Sequence, residues 1–269
     1  MKEICKMFRL SRQAFYQHRK FVVNELLQEE VIIQMVKEYR AKMPRLGGRK
    51  LYYLLKSDLE QLPYIPGRDK FFDLLRKNAL LVSPTKQYTV TTQSHHRFRV
   101  YTNLISERKV SRINEVFVAD ITYLRLFKGF CYLFLITDVY SRKIVGYDVS
   151  ESLSVDGALR AARMAFRGIT SKQELIHHSD RGVHYCCNAY VKLMQKHSVR
   201  LSMGETGNPY DNAIAERVNG ILKTEFLLNG IFQTVESAKR AAQEAIETYN
   251  NFRPHMSIDY LTPSMKYTA

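Results

Sequence analysis

Three carboxylates, Asp120, Asp180 and Glu216, are the side chains of this 269-residue sequence best placed to do chemistry. Asp120 lies inside the β-branched and aromatic run VFVADITYL, among residues that would otherwise be buried. A charge held there is costly unless a cation or hydrogen bonds compensate it. Asp180 closes ELIHHSD, at the C-terminal end of a short predicted strand, where open α/β sheets commonly hold ligands. Glu216 falls in the first turn of a helix predicted to begin near Ala213. Hard oxygen donors without thiolates suit Mg²⁺ or Mn²⁺. Two such ions about 3.5–4 Å apart would activate a water or hydroxyl and stabilise the leaving oxygen of a phosphodiester. Glu216 alone fits a first-turn glutamate answering the helix dipole, but three carboxylates together call for a common explanation.

The elements around them set the geometry. VFVADITYL, CYLFLITDVY and KIVGYDVS are strand-like runs split at Lys128-Gly129 and Ser141-Arg142, which predicts an antiparallel meander. A helix capped by Ser154 and ending at Gly168 leads into ELIHHSD, a strand entered through a helix and so parallel to a neighbour. A helix over 187–197, the strand VRLSM, the turn-rich GETGNPYDN and helices over 213–229 and 235–250 follow. This order predicts an α/β, ribonuclease-H-like mixed five-stranded sheet flanked by helices. If the first and fourth strands are neighbours and the helix from 213 crosses them, the three carboxylates converge. On that helix Glu216, Asn219, Gly220 and Lys223 share one face, opposite Ile214, Val218 and Ile221. Lys223, roughly 10 Å along the axis from Glu216, is then placed to hold a nucleic-acid backbone leading from the site.

The charge is uneven. The net charge is +15, and residues 1–115 hold 23 basic and 11 acidic residues against 18 and 15 in the remainder. A basic half is the footprint of a polyanion-binding module, although a solvated surface would carry the same charge. This half reads as short helices: 2–9, then 12–19 capped by Ser11, then 24–42, then two more over 46–62 and 65–82 joined by a turn around Pro63 to Gly67. The last pair has the arrangement of a helix-turn-helix, with Arg68, Lys70, Arg76 and Lys77 on its second helix. Residues 84–112 are polar and without periodicity. The expected organisation is therefore a basic all-α DNA-binding region over 1–85, a linker over 86–113 and the catalytic core over 114–269. No long heptad segment, internal repeat, signal peptide or run of about 18 apolar residues stands out. Four cysteines form no disulfide framework, so a cytoplasmic protein is expected.

His177, His178, His184, Cys186 and Cys187 are crowded around Asp180 without the second arm that a structural zinc site uses, and the cysteines read as packing residues. Asp138 reads as a turn former before Ser141, and Asp211 as a cap near the Glu216 helix. Tyr210 and its loop are candidates to grip DNA. His255 is either a substrate contact or a cap.

The motifs VADITYL, HHSDRGVHY and GNPYDNAIAERVNGILKTE, with 35 residues between Asp180 and Glu216 and Lys223 seven positions after Glu216, resemble those of a known family. They are similar to the catalytic chains of bacterial insertion-sequence transposases with an integrase-type Asp-Asp-Glu core, the group in which a second reading frame encodes this domain. YNNFRPHMSIDYLTP resembles that family's closing segment. Phe117 stands where the family usually has Trp, and Arg217, a cation beside the site, where Ser is frequent. The resemblance implies Mg²⁺-dependent cleavage at insertion-sequence ends and transfer of the 3′ hydroxyl to another strand, with Asp120, Asp180 and Glu216 as metal ligands. It also implies double-stranded DNA as partner, an oligomer on that DNA in the nucleoid, and an upstream-frame helix-turn-helix protein, often joined by frameshifting. A DNA-binding regulator on an inert scaffold and a hybrid-specific ribonuclease are the alternatives.

Overall fold

The computed structural model of the chain describes residues 5, 7, 9, 11–63, 66–83, 98–167, 169, 174–205 and 212–269. They fall into two compact units, Met1–Pro84 and Thr85–Ala269.

The first unit is helical. Ser11 caps α1 (Arg12–Lys42), its hydroxyl accepting from the Ala14 N–H at 3.0 Å. Arg40 and Lys42 in the last turn suit the helix dipole, and the helix ends at Met43, before Pro44. The two pieces expected at 12–19 and 24–42 are thus one helix, because no glycine or proline interrupts residues 20–24. The helix expected at 2–9 lies mostly outside the described residues. α2 (Gly48–Leu54), α3 (Lys56–Leu59) and α4 (Arg68–Lys77) follow. Ile32 and Val36 of α1 are buried along with Leu51, Leu55, Leu59, Phe71 and Leu75.

In the second unit β1 (Val116–Leu126), β2 (Phe130–Asp138) and β3 (Ile144–Ser150) form the expected antiparallel meander. α5 (Val155–Ala165) crosses to β4 (Leu175–Ser179), which pairs parallel with β1. α6 (Val183–Cys186) and α7 (Asn188–Lys196) lead to β5 (Val199–Met203), parallel to β4. The five-stranded order is β3-β2-β1-β4-β5. After α8 (Ala213–Glu225), the two-residue β6 (Ile231–Phe232) adds to the far end of β1. α9 (Val235–Asn251) begins at a Thr234–Ser237 capping box, and α10 (Pro263–Thr268) begins with a proline whose missing N–H costs nothing there.

Alternation along the strands divides two cores. Phe117, Ala119, Phe134 and Ile136 pack with α5, α6 and α7; Leu124, Leu133 and Leu135 pack with α8 and α9. This is the ribonuclease-H-like mixed sheet flanked by helices. The described part of the expected linker is not free chain. Leu104, Ile105 and Val110 pack against Val116, Val118 and Ile176, and the Leu104 N–H donates to Ser202 Oγ at 2.8 Å.

Among the described residues, no helix is long and apolar enough to cross a membrane.

Candidate active site

The parallel pairing of β1 with β4 sets the two aspartates level. Val118 pairs with His178; Asp120 and Asp180 each lie two residues further on in neighbouring chain segments. The Asp180 carboxylate folds back onto the Gly182 N–H, Oδ1 accepting at 3.0 Å. A Cβ on Gly182 would sit 2.9 Å from that same oxygen, so a side chain there would push the Asp180 carboxylate aside. Arg181 Nε donates to the Gly204 carbonyl at 2.8 Å and ties the end of β4 to the end of β5.

α8 is fixed to β1 by two asparagines two helical turns apart. Asn212 Nδ2 donates to the Ala119 carbonyl at 3.1 Å, and Asn219 Nδ2 donates to Asp120 Oδ2 at 2.6 Å. Glu216 and Lys223 share their side of the helix. Asn212 occupies the N-cap position, and its side chain is spent on β1 rather than on the helix.

Asp120 is half-buried, on the α8 side of the sheet. Burial and the charge of Asp180 push its carboxyl up from an ordinary 3.8 to about 7, with Glu216 adding to the rise; hydrogen bonds from Asn219 and the Ile121 N–H oppose it. The three carboxylates therefore feel one another. They do not form a closed cage: among the described residues no three His, Cys, Asp or Glu side chains are close enough to hold one ion. Glu216 is exposed. The donor chemistry fits a divalent cation all the same. The oxygens are hard, Asp120 carries its charge at a cost, and the side-chain amide oxygens (Oδ1) of Asn212 and Asn219 are buried without a hydrogen-bond partner among the described residues.

Of the residues read as DNA contacts, Lys223 is half-buried; burial lowers its pKa, and the Asp120 charge opposes the drop. Arg217 is exposed beside Glu216. Asn219 is a correction: it is buried, with its amide nitrogen on Asp120, because its face of α8 turns toward β1. Tyr210 and Asp211 lie outside the described residues. In the helical unit, Arg68 pairs with Asp69 and Arg76 with Asp73. Lys70 pairs with Glu25 and Lys77 with Glu29 of α1.

The histidines and cysteines are otherwise employed. His177 Nε2 meets the Tyr190 hydroxyl at 2.9 Å, His178 Nδ1 meets Ser202 Oγ at 2.8 Å, and His184 Nε2 meets the Leu153 carbonyl at 2.9 Å. Burial, then the neighbouring His178, lowers His177 to about 3, so it is neutral. Asp138 accepts from Ser141 N and Oγ at 2.7 and 2.6 Å and from Asn114 N at 2.9 Å, a turn former as read. His255 is buried, edge-on to the Tyr249 ring at 5.0 Å.

Sequence reasoning missed the double grip of Asn212 and Asn219, whose only signal is their spacing of seven. It also missed the Arg253 clamp on α8. Arg253 Nε and Nη2 donate to the two carboxylate oxygens of Glu225, each at 2.8 Å.

Residues 110–209 match the integrase core domain family, and residues 197–263 match a second family of the same description. The chain is 31% identical over 97% of its length to the insertion element IS600 uncharacterized 31 kDa protein of Shigella sonnei, covering 96% of it. It is 25% identical over 98% of its length to transposase InsF for insertion sequence IS3A of Escherichia coli (strain K12), covering 92% of that protein. A cryo-electron-microscopy structure of the simian T-cell lymphotropic virus intasome, in complex with a PP2A regulatory subunit, aligns with a TM-score of 0.52 at 15% identity. That alignment covers 87% of this chain and 74% of the other, a likeness of fold alone.

Proposed function

The chain belongs to the integrase core family related to insertion-element transposases, and from that membership we propose that it is a DNA transposase. It cuts at the ends of an insertion sequence and joins the resulting 3′ hydroxyl to a phosphodiester of a second strand. The observation that carries this reading is the level placement of Asp120 and Asp180 on paired chain segments, with the Glu216 helix fastened to Asp120 itself. Asp120, Asp180 and Glu216 would hold divalent cations, Mg²⁺ or Mn²⁺. These supply a lowered pKa for the attacking hydroxyl and charge neutralisation at phosphorus.

The chain's own side chains do the rest. Asn219 aims the Asp120 carboxylate, and Asn212 fixes α8 against β1. Lys223, with its ammonium in the field of Asp120, and Arg217 meet phosphates flanking the scissile bond. In strand transfer the 3′ oxygen bonds to phosphorus as its proton departs, and the displaced 3′ oxygen of the target strand leaves with the electron pair of the broken P–O bond. The basic unit over 1–85 binds duplex DNA, with the second helix of its helix-turn-helix, α4, carrying Arg68, Lys70, Arg76 and Lys77. Their ion pairs with carboxylates of the same unit would be exchanged for phosphates. The domain over 114–269 performs the chemistry, and the active form is an oligomer on DNA in the nucleoid, with an upstream-frame helix-turn-helix protein as partner.

The test is purified protein with Mg²⁺ on labelled duplexes carrying the element's ends. A transposase yields both nicked and joined products. A regulator binds and leaves the strand intact, and a hybrid-specific ribonuclease cuts RNA–DNA hybrids without joining. Asp120→Asn should abolish cleavage while DNA retention on a filter stays nearly unchanged; equal loss of both would contradict the assigned role.

A further inference from the structure

A second cluster of cations stands away from the carboxylates, at the turn between β2 and β3. The turn is tightly held. The Asp138 N–H donates to the Lys143 carbonyl at 2.8 Å and the Tyr249 hydroxyl of α9 to the Arg142 carbonyl at 3.0 Å. Arg142 adopts a φ of 67°, which residues with a side chain rarely do, and its Nη1 donates to the Val139 carbonyl at 2.6 Å. Against this turn lies α10. Lys143 Nζ is 4.3 Å from the centre of the Tyr267 ring, and Lys266 Nζ is 4.5 Å from the centre of the Tyr140 ring. The Tyr267 hydroxyl donates to Asn114 Oδ1 at 2.7 Å. Two lysines are thus crossed over two tyrosines, one of each from the turn and from α10.

What these cations touch decides what they can still hold. On α4, Arg68, Lys70, Arg76 and Lys77 each meet a carboxylate. Arg142, Lys143 and Lys266 meet a carbonyl and two ring faces instead, and among the described residues none of the three is ion-paired. Asp138, whose charge Arg142 and Lys143 feel, is fully buried with its oxygens taken by Ser141 and Asn114. A ring face positions an ammonium without neutralising it. A phosphate can therefore engage these charges with no ion pair to break first. Duplex DNA carries one charge per about 1.7 Å of its axis on a stiff frame, which suits a fixed cluster of like cations better than the flexible stems of an acidic peptide do.

We infer that the β2–β3 turn and α10 form a second contact for the phosphate backbone of duplex DNA, apart from the reacting phosphodiester. The Val139 N–H donates to the Val116 carbonyl, four residues before Asp120, so at about 3.3 Å per residue the turn lies roughly 13 Å along β1 from that carboxylate. The inference rests on the reading that the chain works on duplex DNA, and not on the chemistry assigned to Asp120, Asp180 and Glu216.

Fluorescence anisotropy of the full chain on a labelled duplex, in a chelator and across a series of salt concentrations, tests it. Lys143→Gln combined with Lys266→Gln should weaken binding about fivefold or more and flatten the slope of log affinity against log salt by about 1.8, at about 0.9 per lost phosphate contact. Lys143→Arg with Lys266→Arg keeps charge and stacking and should restore both. Lys192→Gln with Lys196→Gln, on α7, removes the same charge elsewhere and should change the slope far less. In the natural protein, bound duplex should protect Lys143 and Lys266, but not Lys192, from acetylation read by mass spectrometry, a measurement that needs no variant to fold. An unchanged slope in the first glutamine pair, an equal drop in the α7 pair, unprotected Lys143 and Lys266, or a loss seen only with polyglutamate in place of the duplex would each overturn the inference. No binding by the natural chain would overturn the DNA reading along with it, whereas binding with an unchanged slope overturns this inference alone.

Discussion

Asn219 Nδ2 donates to Asp120 Oδ2 at 2.6 Å, across 99 residues of sequence, and makes one carboxylate and one helix a single unit. The bond fixes the direction of the carboxylate. It also offsets part of the burial that would otherwise keep the carboxyl protonated. Asn219→Ala should therefore weaken the site without dismantling the sheet. A loss of about 10–100-fold in divalent-ion affinity or activity is expected, the range for outer-shell partners of metal ligands. A Mg²⁺ titration of strand cleavage measures it, and an unchanged half-saturation and rate would contradict the positioning role.

Asp120 should make the metal-free protein sensitive to alkali. Its carboxyl titrates at about 7 in the fold against an ordinary 3.8. A raised carboxyl pKa favours the folded state fully below the lower value, and that contribution disappears as pH rises through the upper one. At pH 8 the ionised group costs up to about 4 kcal/mol. In a chelator, Asp120→Asn should raise the melting temperature at pH 8 by several degrees, with the gain shrinking below pH 7. Mg²⁺ should raise the melting temperature of the natural protein at pH 8 and leave the asparagine variant unmoved. A pH-independent difference between the two would refute the assignment.

How much can be read from sequence follows the range of the interactions. β1 to β3 are legible because their β-branched and aromatic runs are bounded by turn residues, and β4 because a helix must return it to the sheet. The carboxylates are legible because Asp120 interrupts a buried run. In α1, the β-branched residues of Phe21-Val22-Val23 resemble a break, but nothing there prevents a helix from continuing. Helical periodicity places Asn219 on the face of Glu216 without saying whether that face meets DNA or β1. The carboxylates paired with Lys70 and Lys77 stand 45 and 48 residues away, a distance no local pattern spans. β6, at two residues, is too short to show alternation.

The seating of α5 on the sheet should tolerate no added methyl. A Cβ on Gly146 of β3 would lie 2.2 Å from the Ala161 carbonyl oxygen and 2.9 Å from the Ala165 nitrogen, and one on Gly157 would lie 2.3 Å from the Phe134 ring. The first obstacle is backbone, which cannot swing aside. Gly146→Ala should destabilise by about 1–3 kcal/mol or more in urea unfolding. Gly220→Ala is the matched control: a methyl added there, in α8, would meet nothing within 4 Å among the described residues and should stabilise by roughly 0.4–1 kcal/mol. Equal effects at both sites would mean that α5 is not held this close.

Arg253 should be worth more to the fold than any surface ion pair. It is 2% exposed, forks onto both oxygens of Glu225 at 2.8 Å, and lies 5.7 Å from the centre of the Tyr249 ring. Glu225 is the last residue of α8, so the clamp fastens the far end of the helix that carries Glu216. Arg253→Met leaves Glu225 without its fork and should cost about 3–5 kcal/mol, the penalty for breaking a buried pair from one side. Arg253→Lys retains the charge but not the two parallel bonds, and should recover only part of it. Arg253→Met combined with Glu225→Met removes both charges and should be less destabilised than Arg253→Met alone. Urea unfolding of the three variants closes the comparison. An Arg253→Met variant within about 1 kcal/mol of the natural protein would place this pair with ordinary exposed ones.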